Sequence, residues 1–278
     1  MRSILEVPIL VDRFWGKVPE LGADAILVDL EDSTQAQDKV RARERVVEFL
    51  AAPEHVGGRQ IIVRTNNLAT EWGRADLAAV AGADVLVCYP KVRTADEMAE
   101  VAALVPGQDL YVMIETARAM IEIDRIAAVI GVAGLHFGYV DYAADVGARA
   151  FSDTGGDLFA PANHYARTKV AVVAAAYGLF CSGGTLVPNY RDLGTVRSFI
   201  RQWADLGYTA CIAVAPSHLG IINEVLAPGP DEVRAAEVVC AAYEEAMSRG
   251  EPSAIVDGKI VTMPDYRLAS VVLARASV

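Results

Sequence analysis

Apolar positions along this chain recur at two spacings, and the two alternate. Short apolar runs end abruptly in polar residues, as in "LGADAILVDLED" (21–32), "AGADVLVCYPKV" (81–92) and "LGYTACIAVAPS" (206–217). Runs of this length and composition predict buried parallel strands. Further strands are predicted in 3–10, 59–67, 109–117, 134–142 and 178–188, which makes eight. The segments between them, such as 36–52, 94–105 and 195–207, place apolar residues three and four apart, the period of an amphipathic helix. The glycine at the start of each quoted phrase is expected to end the preceding helix, because glycine tolerates the left-handed backbone. Eight alternating β/α units predict an α/β fold, a TIM (β/α)8 barrel spanning 1–228 and carrying the active site. A helix over 230–250 and a tail over 257–276 form a C-terminal helical extension, 229–278. A doubly wound sheet is the alternative, but no Gly-x-Gly-x-x-Gly follows any strand, so a dinucleotide site lacks its signature.

Composition narrows the partners. The chain has 278 residues, 53% of them hydrophobic and 22% charged, which suits a globular protein with a large core. A formal net charge of −11 provides no basic field for nucleic acid or an anionic membrane, so neither is an expected partner. The apolar start is interrupted at Asp12 and Arg13, and the later apolar run at 126–140 carries His136 and several glycines. Neither reads as a signal peptide or a membrane span, and a cytoplasmic location is expected. Cys88, Cys181, Cys211 and Cys240 are scattered through apolar runs and read as reduced core residues, with no spacing that suits zinc.

The chemistry collects at the strand ends. The stretch "ILVDLEDS" (26–33) begins as a buried strand and then places Asp29, Glu31 and Asp32 within four positions, where like charges repel. In a barrel these three share one mouth with Arg64, Thr65, Asn66, Asn67, Lys91, Glu115 and Asp141, so Arg64, Lys91 or a metal can compensate them. Glu115 and Asp141 follow adjacent predicted strands and project into one site. Two carboxylates, completed by water and substrate oxygens, suit Mg²⁺; equally, each acid could cap the helix that follows it. Arg64 is either an ion-pair partner of the second strand's acids or a two-pronged clamp on a substrate carboxylate. Asp29, Glu31 and Asp32 could hold metal-bound water, orient Arg64 or Lys39, or act as a base. None of His55, His136, His164 and His218 has obvious partners at a strand end, and His136 reads as a core histidine. No serine-hydrolase elbow or zinc-protease motif appears.

Taken in order, "RSILEVP", "ADAILVDLEDS", "KVRAR", "VRTNN", "YPKV", "MIETARAM" and "FGYVDYAADVG" resemble the motifs of the citrate lyase beta-chain and malyl-CoA lyase family, within the HpcH/HpaI aldolase superfamily. The resemblance covers nearly the whole chain. It implies a Mg²⁺ cofactor held by Glu115 and Asp141, and a substrate carboxylate held by Arg64. Asp29, Glu31 and Asp32 would support the metal's water and the arginine, with Glu31 and Asp32 as candidate catalytic acids. Lys39 and Arg43 would bind anionic groups at the rim. The implied activity is carbon–carbon lyase chemistry on a small carboxylate or an acyl-CoA of the citryl, malyl or citramalyl type, releasing a 2-oxo acid. A CoA-independent 2-oxo acid aldolase and a catalytically weak binding subunit are the alternatives. The resemblance also implies a homotrimer or hexamer whose C-terminal tail covers a neighbour's site. Three positions depart from the family pattern: Ile9 replaces a glycine, Ala215 a histidine, and Thr262 the tail aspartate that acts as a base in malyl- and citramalyl-CoA lyases.

Overall fold

A computed structural model describes residues 1–52, 56–153 and 156–276. Eight parallel strands close into a barrel in chain order: β1 (Ser3–Pro8), β2 (Ala25–Asp29), β3 (Gln60–Arg64), β4 (Leu86–Tyr89), β5 (Leu110–Ile114), β6 (Val132–Phe137), β7 (Phe180–Gly184) and β8 (Ala210–Ala213). β8 closes back on β1 through the pairs Ser3 with Cys211 and Leu5 with Ala213. The register places Asp29 beside Pro8 on one side and beside Arg64 on the other, so these strand ends meet at one mouth. Ile4, Ala25, Leu27, Ile62, Tyr111 and Met113 pack together inside the barrel as buried core. β1 to β5 and β8 each contribute buried apolar residues to this core, and Asp29 and Arg64 end their strands at the C-terminal edge, with Glu115 directly after β5.

The helices that position the site are α1 (Asp12–Trp15), α2 (Lys39–Leu50), α3 (Gly73–Val80), α4 (Ala95–Leu104), α5 (Ala117–Ala127) and α6 (Tyr139–Asp145). α7 (Ala162–Tyr177), α8 (Leu193–Ala204) and α9 (Leu219–Leu226) complete the ring. Gly82 and Gly207, which precede β4 and β8, adopt φ of +76° and +88°, the left-handed turn expected after a helix. Gly22 does not, because only a 3₁₀ turn over Val18–Glu20 precedes it and no helix end needs reversing.

The chain divides into two compact units, Met1–Asn223 and Glu224–Val278. In the second, α10 (Pro230–Ser248) packs on α11 (Met263–Ala276), and the rings of Tyr243 and Tyr266 lie 5.1 Å apart. A hairpin of β9 (Ala254–Val256) and β10 (Lys259–Val261) joins them, where a plain tail is expected from the apolar spacing alone. Asp265, in the first turn of α11, reaches back to Thr262: its Oδ2 accepts the Thr262 backbone N–H and hydroxyl, each at 2.8 Å. No described helix is long and apolar enough to cross a membrane, and all four cysteines are buried and unbridged.

Candidate active site

Asp29 organises the mouth. It is fully buried, and its carboxylate accepts the backbone N–H of Glu31 and of Ser33, each at 2.8 Å, so the "DLEDS" loop folds around it. Arg64 Nε donates to Asp29 Oδ1 at 2.6 Å and lies 3.5 Å from Glu31 Oε2, while its Nη2 donates to Glu6 Oε1 at 2.9 Å. Burial alone would push Asp29 upward, but the Arg64 charge and these hydrogen bonds outweigh it and hold the carboxyl below the usual range. Arg64 is therefore buried in ion pairs and also lines the site cavity. Its Nη1 takes part in none of the three pairs.

Lys91 spans the opposite side. Its Nζ donates to Glu31 Oε1 at 2.6 Å and to Asp32 Oδ1 at 3.1 Å. Its own backbone is left-handed, at φ +52°, a strained choice for a side-chain-bearing residue. That turn aims its N–H at Glu115 Oε1, 2.7 Å away. One residue thus restrains both the loop acids and Glu115.

Glu115 and Asp141 line one cavity of about 280 Å³ with Glu6, Asp32, Arg64 and His136. The capping role open to Glu115 is taken by its neighbour: Thr116 Oγ1 accepts the Ala119 N–H at the start of α5. Asp141 lies in the first turn of α6, where the helix dipole favours an anion. Burial, then the charges of Glu31 and Asp141, push Glu115 up to about 8. A cation entering the cavity removes that penalty.

The donor set fits a hard divalent ion. Glu6, Asp29, Glu31, Asp32, Glu115 and Asp141 face Arg64 and Lys91, so carboxylates outnumber fixed cations around the cavity. Among the described residues no three acidic, histidine or cysteine side chains form a ready metal cage. Two carboxylates with room for water and substrate oxygens is the arrangement Mg²⁺ accepts. Gly138 preserves the room: a Cβ there would sit 2.3 Å from Glu115 Oε2.

Lys39 and Arg43 stand elsewhere than the rim. Lys39 is buried, and its Nζ donates at 2.7 Å to Leu30 O, Glu31 O and Asn66 Oδ1, which occupies all three ammonium hydrogens. Arg43 Nη1 pairs with buried Asp76 at 3.1 Å, and Asp76 in turn accepts from the Asn66 backbone and side-chain amides. Both cations therefore brace the loop from behind. The structure differs from the rim expectation because buried acceptors take up both cations: Leu30 O, Glu31 O and Asn66 Oδ1 for Lys39, and Asp76 for Arg43.

Glu6 and His136 are cavity residues that strand patterning hides. Sequence reasoning missed Glu6; the one signal that could have found it is a carboxylate set between Leu5 and Val7 in a mostly apolar strand. Burial, offset in part by Arg64, pushes its carboxyl upward. His136 is buried as expected, yet it also lines the cavity. His218 bridges Thr185 and Tyr190, and His164 lies 3.1 Å from Asp157; His55 falls outside the described residues.

Residues 2–216 match the HpcH/HpaI aldolase/citrate lyase family. The chain belongs to that family. This HpcH/HpaI member is 36% identical to a (3S)-malyl-CoA thioesterase of Cereibacter sphaeroides over 276 residues, covering 99% of this chain and 94% of the relative. It is 26% identical to the human mitochondrial citramalyl-CoA lyase, covering 95% and 82%. Among solved structures it is similar to the CitE protein of Mycobacterium tuberculosis in complex with magnesium, acetoacetate and coenzyme A. There the TM-score is 0.82 at 25% identity, covering 100% of this chain and 98% of the other.

Proposed function

We propose that this chain is a Mg²⁺-dependent carbon–carbon lyase acting on a CoA thioester of the malyl, citramalyl or citryl type. The observation that carries the reading is the cavity in which Glu115 and Asp141 face Arg64 amid surplus carboxylates. The CitE relative's complex with magnesium, acetoacetate and coenzyme A supports the choice of metal and thioester. When bound, Mg²⁺ supplies Lewis-acid stabilisation of oxygen charge on the 2-oxo or 2-hydroxy acid fragment. Glu115 and Asp141 hold the ion, Glu115 fixed by the Lys91 N–H.

Arg64, its plane set by Asp29 and Glu6, offers the substrate carboxylate its remaining edge. Glu31 is tied to both Lys91 and Arg64, whereas Asp32 pairs with Lys91 alone, lines the cavity and has a side chain that is 58% exposed. Asp32 is the better-placed acceptor for the substrate's hydroxyl proton. As that proton leaves, the C2–C3 bond breaks, C2 becomes the carbonyl of the 2-oxo acid, and the electron pair moves onto the thioester enolate. Reprotonation of the enolate carbon gives the shorter acyl-CoA.

A second reading, thioester hydrolysis, is favoured by the 36% identical malyl-CoA thioesterase. Products separate the two. Incubated with (3S)-malyl-CoA and with citramalyl-CoA, a lyase releases glyoxylate or pyruvate together with acetyl-CoA, only when Mg²⁺ is present. A thioesterase releases free CoA thiol and the intact hydroxy acid, without 2-oxo acid. Neither product from either thioester would overturn both readings. The proposal includes a homotrimer or hexamer with the Glu224–Val278 unit as lid over a neighbouring subunit, which the mass in solution tests.

A further inference from the structure

Among the described residues His136 is the one histidine on the cavity wall, and its surroundings determine which ring nitrogen carries the proton. On one side Nδ1 meets Ser182 Oγ at 2.9 Å and Tyr111 Oη at 3.2 Å, and the two hydroxyls bond each other. All three residues are buried, and among the described residues neither hydroxyl has another partner. Suppose Nδ1 bore the proton. It would donate to one hydroxyl, and only one of the two hydroxyl hydrogens could then find an acceptor within the triangle. The other would be buried without a partner, which folded proteins avoid. With Nδ1 as acceptor, Tyr111 donates to Ser182 and Ser182 donates to Nδ1, and both hydroxyls are satisfied. The proton therefore sits on Nε2. That nitrogen has no hydrogen-bond partner among the described residues.

We infer that His136 is a neutral Nε2–H donor to a carboxylate or carbonyl oxygen of the bound 2-oxo acid fragment. The inference rests on the reading that this cavity binds such a fragment. A neutral donor suits the place: it adds no positive charge beside Arg64, yet it recognises an oxygen lone pair in a cavity crowded with carboxylates. Burial and the Arg64 charge, which push the imidazole down to about 3, keep it neutral. The role also explains a histidine where an aliphatic residue would complete the apolar pattern of β6. Ser182 and Tyr111 are positioning residues that fix the tautomer.

The test uses the full chain with Mg²⁺ and oxalate, a stable two-carbon analogue of a 2-oxo acid enolate. Imidazole nitrogen–proton correlation spectra of the labelled protein are expected to place the proton on Nε2 and to move that resonance as oxalate saturates. A proton on Nδ1 overturns the inference. Calorimetry is expected to show oxalate binding about 10–100-fold weaker in His136→Leu, the loss that follows from one hydrogen bond to a charged group. His136→Gln, which keeps an N–H donor, should recover most of the affinity and guards against a folding defect in the leucine variant. Equal affinity in wild type and His136→Leu, with both folded, overturns the inference alone. Failure of oxalate and Mg²⁺ to bind the wild type overturns the reading of the cavity, and this inference with it.

Discussion

Arg64 shows how much chemistry rests on one side chain. Its Nε and Nη2 reach Asp29 and Glu6 at the same time from one planar group, a geometry that a single ammonium cannot reproduce. Arg64→Lys keeps the charge, so a purely electrostatic role predicts little change. The proposed role predicts that kcat/KM for the thioester falls by about 100-fold or more, checked by steady-state kinetics; near-wild-type values would reduce Arg64 to an ion-pair partner. His136 supplies a second prediction, in stability. Unfolded, it titrates near its ordinary 6.5; folded, burial first and Arg64 second hold it to about 3. Between those values the unfolded chain carries the extra proton, so this contribution, full above pH 6.5, is lost as pH falls toward 3. The slope is about 1.4 kcal/mol per pH unit. Glu6, Glu31 and Glu115 are raised and give the opposite slope in their own windows. The difference between wild type and His136→Gln in urea melts at several pH values therefore isolates the histidine. A constant difference across pH 4–6 would contradict the buried neutral ring.

The strands were the most legible elements. Seven of the eight predicted runs contain a barrel strand and the sixth, 134–142, overlaps β6, which begins two residues earlier at Val132, because parallel strands buried on both faces read as continuous apolar runs. The polar strand ends were legible for the same reason: Asp29, Arg64 and Glu115 break the apolar pattern where the barrel opens. Loops were less so. Lys39 resembled a rim cation by motif, but its direction is set by acceptors in the loops that follow β2 and β3, which have no periodic signal. The β9–β10 hairpin was hidden because two three-residue strands are too short to show a period. The buried ammonium gives this scale its own prediction. Lys39→Met leaves Asn66 Oδ1 without its donor and takes one of two donors from Leu30 O and Glu31 O, which keep the Asn66 side-chain amide and the Thr34 N–H, so unfolding free energy should drop by about 1–3 kcal/mol, measured by denaturant titration. Catalysis should suffer as well, since the loop carries Glu31 and Asp32. A change below about 0.5 kcal/mol would mean the loop holds its shape without Lys39.

At the scale of the molecule, a barrel core built from apolar alternates holds a rim where acids outnumber cations. The excess is tolerable because Arg64 and Lys91 tie down the loop acids, which leaves Glu115 and Asp141 for an incoming ion. Family motifs made those two acids visible in the sequence. Their cavity, the Lys91 backbone turn and the Gly138 clearance required coordinates, since each joins residues from different β/α units. The second unit carries the departure least legible from motif alone. Thr262 falls where the resemblance to malyl- and citramalyl-CoA lyases implies an aspartate, and here its N–H and hydroxyl are held by Asp265 at the start of α11, a contact that the sequence motif did not reveal. If Glu115 and Asp141 hold the metal, calorimetric titration of Mg²⁺ into wild type, Glu115→Ala and Asp141→Ala separates the three proteins. Saturable binding is expected for wild type and at least a ~10-fold loss of affinity in each variant, with both still folded, because water cannot replace a lost carboxylate charge. Undiminished Mg²⁺ affinity in both folded variants would contradict the assignment of Glu115 and Asp141 as its ligands.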